Sequence, residues 1–235
     1  MIDLAIIMAT MRAGNWGIIL NHIKAAQGRG ARIHWFPVLY PREVKAATPE
    51  QRGFLFGFDA PRWIHPIVIA EELGVNHCLR KQNAALDHLE ASGFAGWFVG
   101  WSDDNLIPQN IGKRVAMAAQ QEADGHKDVI IFSHKRGQRI PAEDPKLRYG
   151  TSDLIAAPEN VRVGCISGEQ YFIHTRALNG RRWPHHPCAD GVLIEQMWRE
   201  NPGDFVYVPD YFTPFNALEP GRWDEDELRK VIEAE

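Results

Sequence analysis

Cysteine is scarce in this chain: Cys78, Cys165 and Cys188 are the 3 present in 235 residues. An odd count without metal-type spacing excludes a disulfide framework and a cysteine-based zinc site, and it suits a reducing compartment. Long apolar runs are missing as well. No stretch approaches the length needed to cross a bilayer, and the opening Met1-Ile2-Asp3-Leu4-Ala5-Ile6-Ile7-Met8 has no basic leader and only a brief apolar segment. These features predict a soluble, cytoplasmic protein with no transmembrane segment. Charge of one sign is not in excess either. A net charge of −4 argues against a chain held to nucleic acid by its overall field, while leaving room for a local basic patch. The Gly-x-Gly-x-x-Gly fingerprint is absent, so a dinucleotide site lacks support.

What is present is enough for one substantial domain over residues 1–235, with 45% hydrophobic residues to fill its core. Residues 4–9 form a continuous apolar strand. Residues 16–27 have helical periodicity, closed by Gly28-Arg29-Gly30, and residues 32–39 read as a second strand. A β-α-β opening of this kind predicts parallel strands joined by a right-handed crossover, hence a Rossmann-like sheet. Residues 41–68, rich in proline, arginine and aromatics, are a candidate wall for a ligand pocket, with 54–59 a candidate short strand. An amphipathic helix over 80–89 carries Leu86 and Leu89 on the face that also holds Leu79, and Ser92-Gly93 closes it. A helix over 111–123 and a buried strand over 129–132 follow.

The densest signal is Gly-Trp-Phe-Val-Gly-Trp-Ser-Asp-Asp-Asn-Leu-Ile-Pro, residues 96–108. Residues 97–101 are aromatic and β-branched, as in a buried strand. Crowding two carboxylates and an amide at that strand's C-terminal end is costly unless a cation offsets their repulsion. Asp103, Asp104 and Asn105 therefore read as a divalent-ion site, Mn²⁺ or Mg²⁺, placed where open α/β sheets bind ligands. A solvated turn with a helix cap is the plainer alternative.

Together with Lys81 and Asn83, which open the preceding helix about twenty residues upstream, this trio resembles the GT-A-type glycosyltransferases of the family-two-like branch. There a basic residue and an Asn open a helix that precedes the strand bearing an Asp-x-Asp motif. One departure is Trp101, which stands where the family often has the first acid; which of the three residues touch an ion is left open. The resemblance implies an α/β single GT-A (Rossmann-like) domain with a mostly parallel central sheet flanked by helices. Residues 1–110 would form the nucleotide-sugar half and 111–235 the acceptor side. It also implies metal-dependent transfer of a sugar from a nucleoside diphosphate sugar, a UDP-sugar foremost, to a carbohydrate or other hydroxyl acceptor. The first strand-to-helix loop, residues 10–15, is where the family grips the nucleotide, so Thr10, Arg12 and Asn15 join Lys81, Asn83 and Asp103 as nucleotide-binding candidates. A plain solvated loop is the alternative.

The C-terminal half carries a second constellation. Residues 164–174 read as a strand, a glycine turn and a second strand or helix, resembling the family's acceptor-side segment. After Trp183-Pro184-His185-His186-Pro187-Cys188-Ala189 comes Asp190, opening a helix over 192–199. The resemblance implies that Asp190 is the catalytic base of an inverting reaction. An Asp at a helix N-terminus is also simply a good cap, and Glu195 is the reserve base. His174, His185 or His186 could complete an octahedral shell. The basic run His134-Lys135-Arg136-Gly137-Gln138-Arg139 and the irregular stretch 140–153 are either a solvated loop or a lid over pyrophosphate or an anionic acceptor. Aromatics over 205–216 could stack on a sugar but more commonly form core. A terminal helix beginning near Asp224 carries no functional signal. Three rivals remain: a nucleotidyltransferase, disfavoured because residues 10–15 hold one Gly and one Arg; a non-catalytic nucleotide-sugar-binding module; and a glycosyltransferase acting on modified nucleic-acid bases.

Overall fold

β1 (Ile2–Ala9) is buried from Leu4 onward and hydrogen-bonds on both sides, to β2 (Ala31–Leu39) and to β4 (Trp97–Trp101), both parallel to it. Its alternating side chains feed two cores. Leu4, Ile6 and Met8 pack with α1 (Trp16–Ala26) and α5 (Ile111–Gln120), whereas Ala5 and Ile7 pack with α4 (His77–Ala91) and α6 (Ala189–Glu200). Period-two alternation in a strand with helices over both faces produces this three-layer arrangement and explains why the sequence of β1 is apolar throughout. This computed structural model describes residues 1–10, 12–71, 77–120, 127–135, 153–214 and 217–218. Residues 136–152 of the lid candidate spanning 134–153, with Arg136 and Arg139, and the terminal helix near Asp224 lie outside the described residues, while His134 and Lys135 end β5 (Val129–Lys135).

The remaining strands are β3 (Ile67–Val68), β5 (Val129–Lys135), β6 (Tyr171–His174) and β7 (Phe205–Pro214), and the 7-stranded sheet runs β3-β2-β1-β4-β6-β5-β7. The sheet is mostly parallel, as expected. β6 is the exception, antiparallel to both β4 and β5. That reversal matters for the site, because it brings the residues before Tyr171 to the edge where β1, β2 and β4 end.

Two readings of the sequence need correction. Residues 54–59 do not form a strand: α3 (Pro49–Phe56) occupies the stretch, after the short α2 (Pro41–Ala46). The stronger local signal is the capping box, in which Thr48 Oγ1 accepts from Gln51 N at 3.2 Å while Gln51 Oε1 accepts from Thr48 N at 2.8 Å. Residues 164–174 contain only one strand, β6, preceded by a 3-10 turn at Gly168–Gln170. Among the described residues no helix is long and apolar enough to cross a membrane, and the three cysteines are free.

Candidate functional site

At the end of β4 the chain turns at once: Asn105 N donates to Ser102 O at 3.3 Å, and Trp101 Nε1 donates to Asn105 O at 3.3 Å. This tight return folds the acidic trio inward, so Asp103, Asp104 and Asn105 are all buried. The loop after β1 meets them. Arg12 N donates to Asp103 Oδ2 at 2.6 Å, and Asn15 Nδ2 donates to Asp103 O at 2.7 Å. Arg12 Nη1 lies 2.9 Å from Asp103 Oδ1 and 2.9 Å from Asp104 Oδ2. Arg12, Asn15 and the trio thus come together at the end of β4.

Lys81 and Thr10 meet as well. The Lys81 ammonium is fully buried at the start of α4; it donates to Thr10 O at 2.5 Å and to both Glu43 oxygens at 2.6 Å, and sits 4.5 Å from the Tyr40 ring centroid. It pins the end of β1 to α2. Asn83 has a different engagement. Its Nδ2 donates to Trp183 O at 2.9 Å and its Oδ1 accepts from Trp183 N at 3.0 Å, so both ends of the amide clasp one backbone unit.

That clasp leads to Asp190. Trp183 Nε1 donates to Tyr171 Oη at 2.7 Å, and Tyr171 Oη donates to Asp190 Oδ1 at 3.0 Å. Asp190 is not the cap of α6: Cys188 holds that position, and Asp190 stands in the first turn with its carboxylate turned to Tyr171. Burial raises its pKa, and the Tyr171 hydrogen bond opposes that rise. A side chain at Gly168 would come within 3.3 Å of Asp190 Oδ1 and of Gly100 O, so glycine there lets α6 approach the end of β4.

Between the two clusters stands Glu169, which the sequence reading passed over. Its Oε1 accepts from Ser102 N at 2.8 Å and from Asn105 Nδ2 at 3.0 Å, gripping the acidic turn on both sides. His134 Nε2 lies 3.1 Å from the Glu169 carbonyl oxygen. Burial, reinforced by the nearby Asp190 charge and opposed by the Ser102 bond, pushes the Glu169 carboxyl up to about 7. Tyr171, Trp183 and Glu43 were passed over too. The one sequence signal for Glu169 is a lone carboxylate set between Gly168 and the apolar β6.

The other candidates lie elsewhere. His174 pairs with Trp97 at the far end of β4, roughly 13 Å of strand from Trp101, so it cannot join the trio. His185 and His186 are exposed, and His186 Nδ1 accepts from Cys188 N at 3.0 Å. Glu195 is engaged by Val163 N at 2.8 Å and by Arg199.

The donor set of the acidic turn is hard oxygen, suited to Mg²⁺ or Mn²⁺, and the bridging Arg12 nitrogen shows that the two carboxylates can share one cation. Among the described residues no group of three or more His, Cys, Asp and Glu is gathered to hold an ion. An ion here would draw further ligands from Asn105, water or a phosphate.

No family model matches the chain, and no curated protein matches it. Solved structures do. The S. aureus TarS fragment 1–349 superposes with a TM-score of 0.55 at 15% identity, over 91% of this chain and 59% of that one. The same fragment in complex with UDP-GlcNAc gives 0.55 at 14%, covering 91% and 57%. The mannosyltransferase PcManGT from Pyrobaculum calidifontis, in complex with GDP-Man and Mn²⁺, gives 0.54 at 18%, covering 94% and 58%. The chain therefore has the GT-A-type fold of these glycosyltransferases, and it spans under three fifths of their length.

Proposed function

We propose that this chain transfers a sugar from a nucleoside diphosphate sugar to a hydroxyl acceptor, with Asp190 as the base. The observation that carries the reading is that one edge of the sheet gathers the buried Asp103 and Asp104, the Glu169 carboxylate that holds their turn through Ser102 and Asn105, and the half-buried Asp190, whose Oδ1 a side chain at the neighbouring Gly168 would approach to 3.3 Å. In this reading the loop of Thr10, Arg12 and Asn15 binds the nucleotide, with Lys81 and Asn83 fixing the walls around it. Glu169 positions the acidic turn. Tyr171, itself held by Trp183, orients Asp190 and favours its ionised form, so that the carboxylate can take the acceptor's proton as the hydroxyl attacks the anomeric carbon. A base acting directly in this way inverts that carbon. Asp103, Asp104 and Asn105 would hold a divalent ion, Mn²⁺ or Mg²⁺, which supplies charge neutralisation for the departing diphosphate. Support for this donor class comes from the GT-A fold and from the UDP-GlcNAc and GDP-Man carried by two similarly folded proteins. Free cysteines support a reducing, cytoplasmic setting.

The test is thermal stabilisation by a panel of nucleoside diphosphates with and without Mn²⁺, since a selective ligand raises stability by mass action. One nucleotide should stabilise the chain in a Mn²⁺-dependent way, and Asp103→Ala with Asp104→Ala should abolish that dependence. Stabilisation by none of them, or an unchanged Mn²⁺ dependence in the double variant, overturns the reading.

A further inference from the structure

The acidic turn already contains a cation. One nitrogen of Arg12, Nη1, stands 2.9 Å from an oxygen of Asp103 and 2.9 Å from an oxygen of Asp104, and the Arg12 backbone N–H takes the second Asp103 oxygen at 2.6 Å. The partners differ in exposure. The two carboxylate side chains are 2% and 9% exposed, whereas the Arg12 side chain is 49% exposed and reaches in from the solvent side on a flexible stem. Of the three side chains, the guanidinium is the one with solvent beside it into which a long stem can swing.

We infer that Arg12 is an internal competitor of the divalent ion, which sets the metal affinity of the acidic turn and makes metal and nucleotide binding cooperative. This rests on the reading of the turn as the metal site of a nucleotide-using enzyme. A doubly charged ion attracts two carboxylates more strongly than a singly charged guanidinium at the same distance does. It cannot enter between the carboxylates while Nη1 is within hydrogen-bond distance of both. An ion binding alone must break two charge-assisted hydrogen bonds and leave the guanidinium without those acceptors. A diphosphate arriving beside the turn offers that guanidinium new anionic oxygens, for which its planar fork is suited. Each ligand thereby lowers the cost of binding the other, and by linkage the effect is reciprocal. The same exchange would suppress occupation of the turn by metal when no donor is present.

The experiment is calorimetric titration of the purified full chain with MnCl₂, alone and with saturating UDP or GDP, in the parent, Arg12→Ala and Arg12→Lys. Circular dichroism of each variant checks that the fold is retained. The parent should bind Mn²⁺ weakly alone and much more tightly with the nucleotide. Arg12→Ala should bind Mn²⁺ alone more tightly, by roughly 10-fold or more given what charge-assisted bonds contribute, and the gain from adding nucleotide should shrink. Arg12→Lys, which keeps the charge without the fork, should fall between and serves as the readout if Arg12→Ala does not fold. Unchanged or weaker Mn²⁺ binding in the folded variants, with the parent's nucleotide-dependent Mn²⁺ binding intact, overturns the inference alone. Absence of Mn²⁺ binding in the parent with either nucleotide overturns the metal-site reading, and the inference with it.

Discussion

The two ends of the sheet both gather ionisable groups, and they treat them in opposite ways. At the end where β1 begins, Arg32 grips Asp3 with two bonds, at 2.5 and 2.8 Å, and His34 Nε2 lies 3.2 Å from the same carboxylate. The Arg32 hydrogen bond, ahead of the opposing burial, holds the Asp3 carboxyl below its ordinary value. His34 Nδ1 is 3.1 Å from His65 Nε2, and His65 stacks on Phe36. At the end where β1 and β4 finish, burial is the largest influence on both Glu169 and Asp190, and it raises both carboxyls. At one end an ion pair favours the ionised carboxyl; at the other, beside the Arg12 and Lys81 ion pairs, burial biases Glu169 and Asp190 toward the protonated form. A folded chain tolerates the second arrangement at a cost to stability, and strained ionisation of this kind is what marks a site prepared for a charged ligand or a proton.

The largest effect that would sharpen this contrast is at Glu169. Glu169→Ala removes the acceptor shared by Ser102 N and Asn105 Nδ2, and Mn²⁺-dependent nucleotide affinity should fall by on the order of 10- to 100-fold, as when a group supporting a metal ligand is lost. Glu169→Gln keeps an oxygen in place and should retain most of that affinity. Equal losses in the two variants would mean that the charge of Glu169, and not its positioning of the turn, is what matters.

The two ends should also give pH slopes of opposite sign. Glu169 titrates at about 7 in the folded chain against an ordinary 4.5, so its contribution to stability is complete below 4.5 and is lost as pH rises through about 7. In denaturant titrations between pH 5 and 8, Glu169→Gln should remove up to about 3 kcal/mol of that alkaline loss. His65 behaves in the reverse sense. Burial holds its pKa below 6.5, so its contribution is complete above 6.5 and is lost as pH falls through the depressed value. His65→Phe, which keeps a ring against Phe36, should flatten the acid side of the profile. The smallest effect belongs to the exposed pair: Arg32→Ala should leave the melting temperature almost unchanged, because screened surface pairs contribute little. A marked drop there would show that the pair, with His34 behind it, anchors the start of the sheet.

How far the sequence disclosed this contrast follows from the range of the interactions. β4 and the acidic turn were legible because a buried aromatic run stops abruptly on polar residues, a signal contained in a dozen positions. α3 was misread because its aromatic residues suggested a strand while the Thr48–Gln51 capping box lay just upstream. Asp190 stood out as the acid before a helix expected over 192–199, whereas α6 begins at Ala189 and takes Asp190 into its first turn. Its partners did not stand out: Tyr171 reaches it across the turn from β6, and Trp183 is fixed by Asn83, 100 positions away. Glu169 was invisible for the same reason, since its partners Ser102 and Asn105 are separated from it by 67 and 64 positions and are brought in by the reversal of β6.

The central claim is that Asp190 and the acidic turn are parts of one catalytic site with separable tasks. The most direct measurement is sugar transfer by Asp190→Asn at saturating donor, with donor affinity measured in parallel. The amide keeps the size of the side chain and an acceptor for the Tyr171 hydroxyl, but it cannot take a proton. Transfer should fall by on the order of 10²–10⁴ while donor affinity holds. Transfer at near-parental rate, or loss of donor affinity together with transfer, would contradict the account.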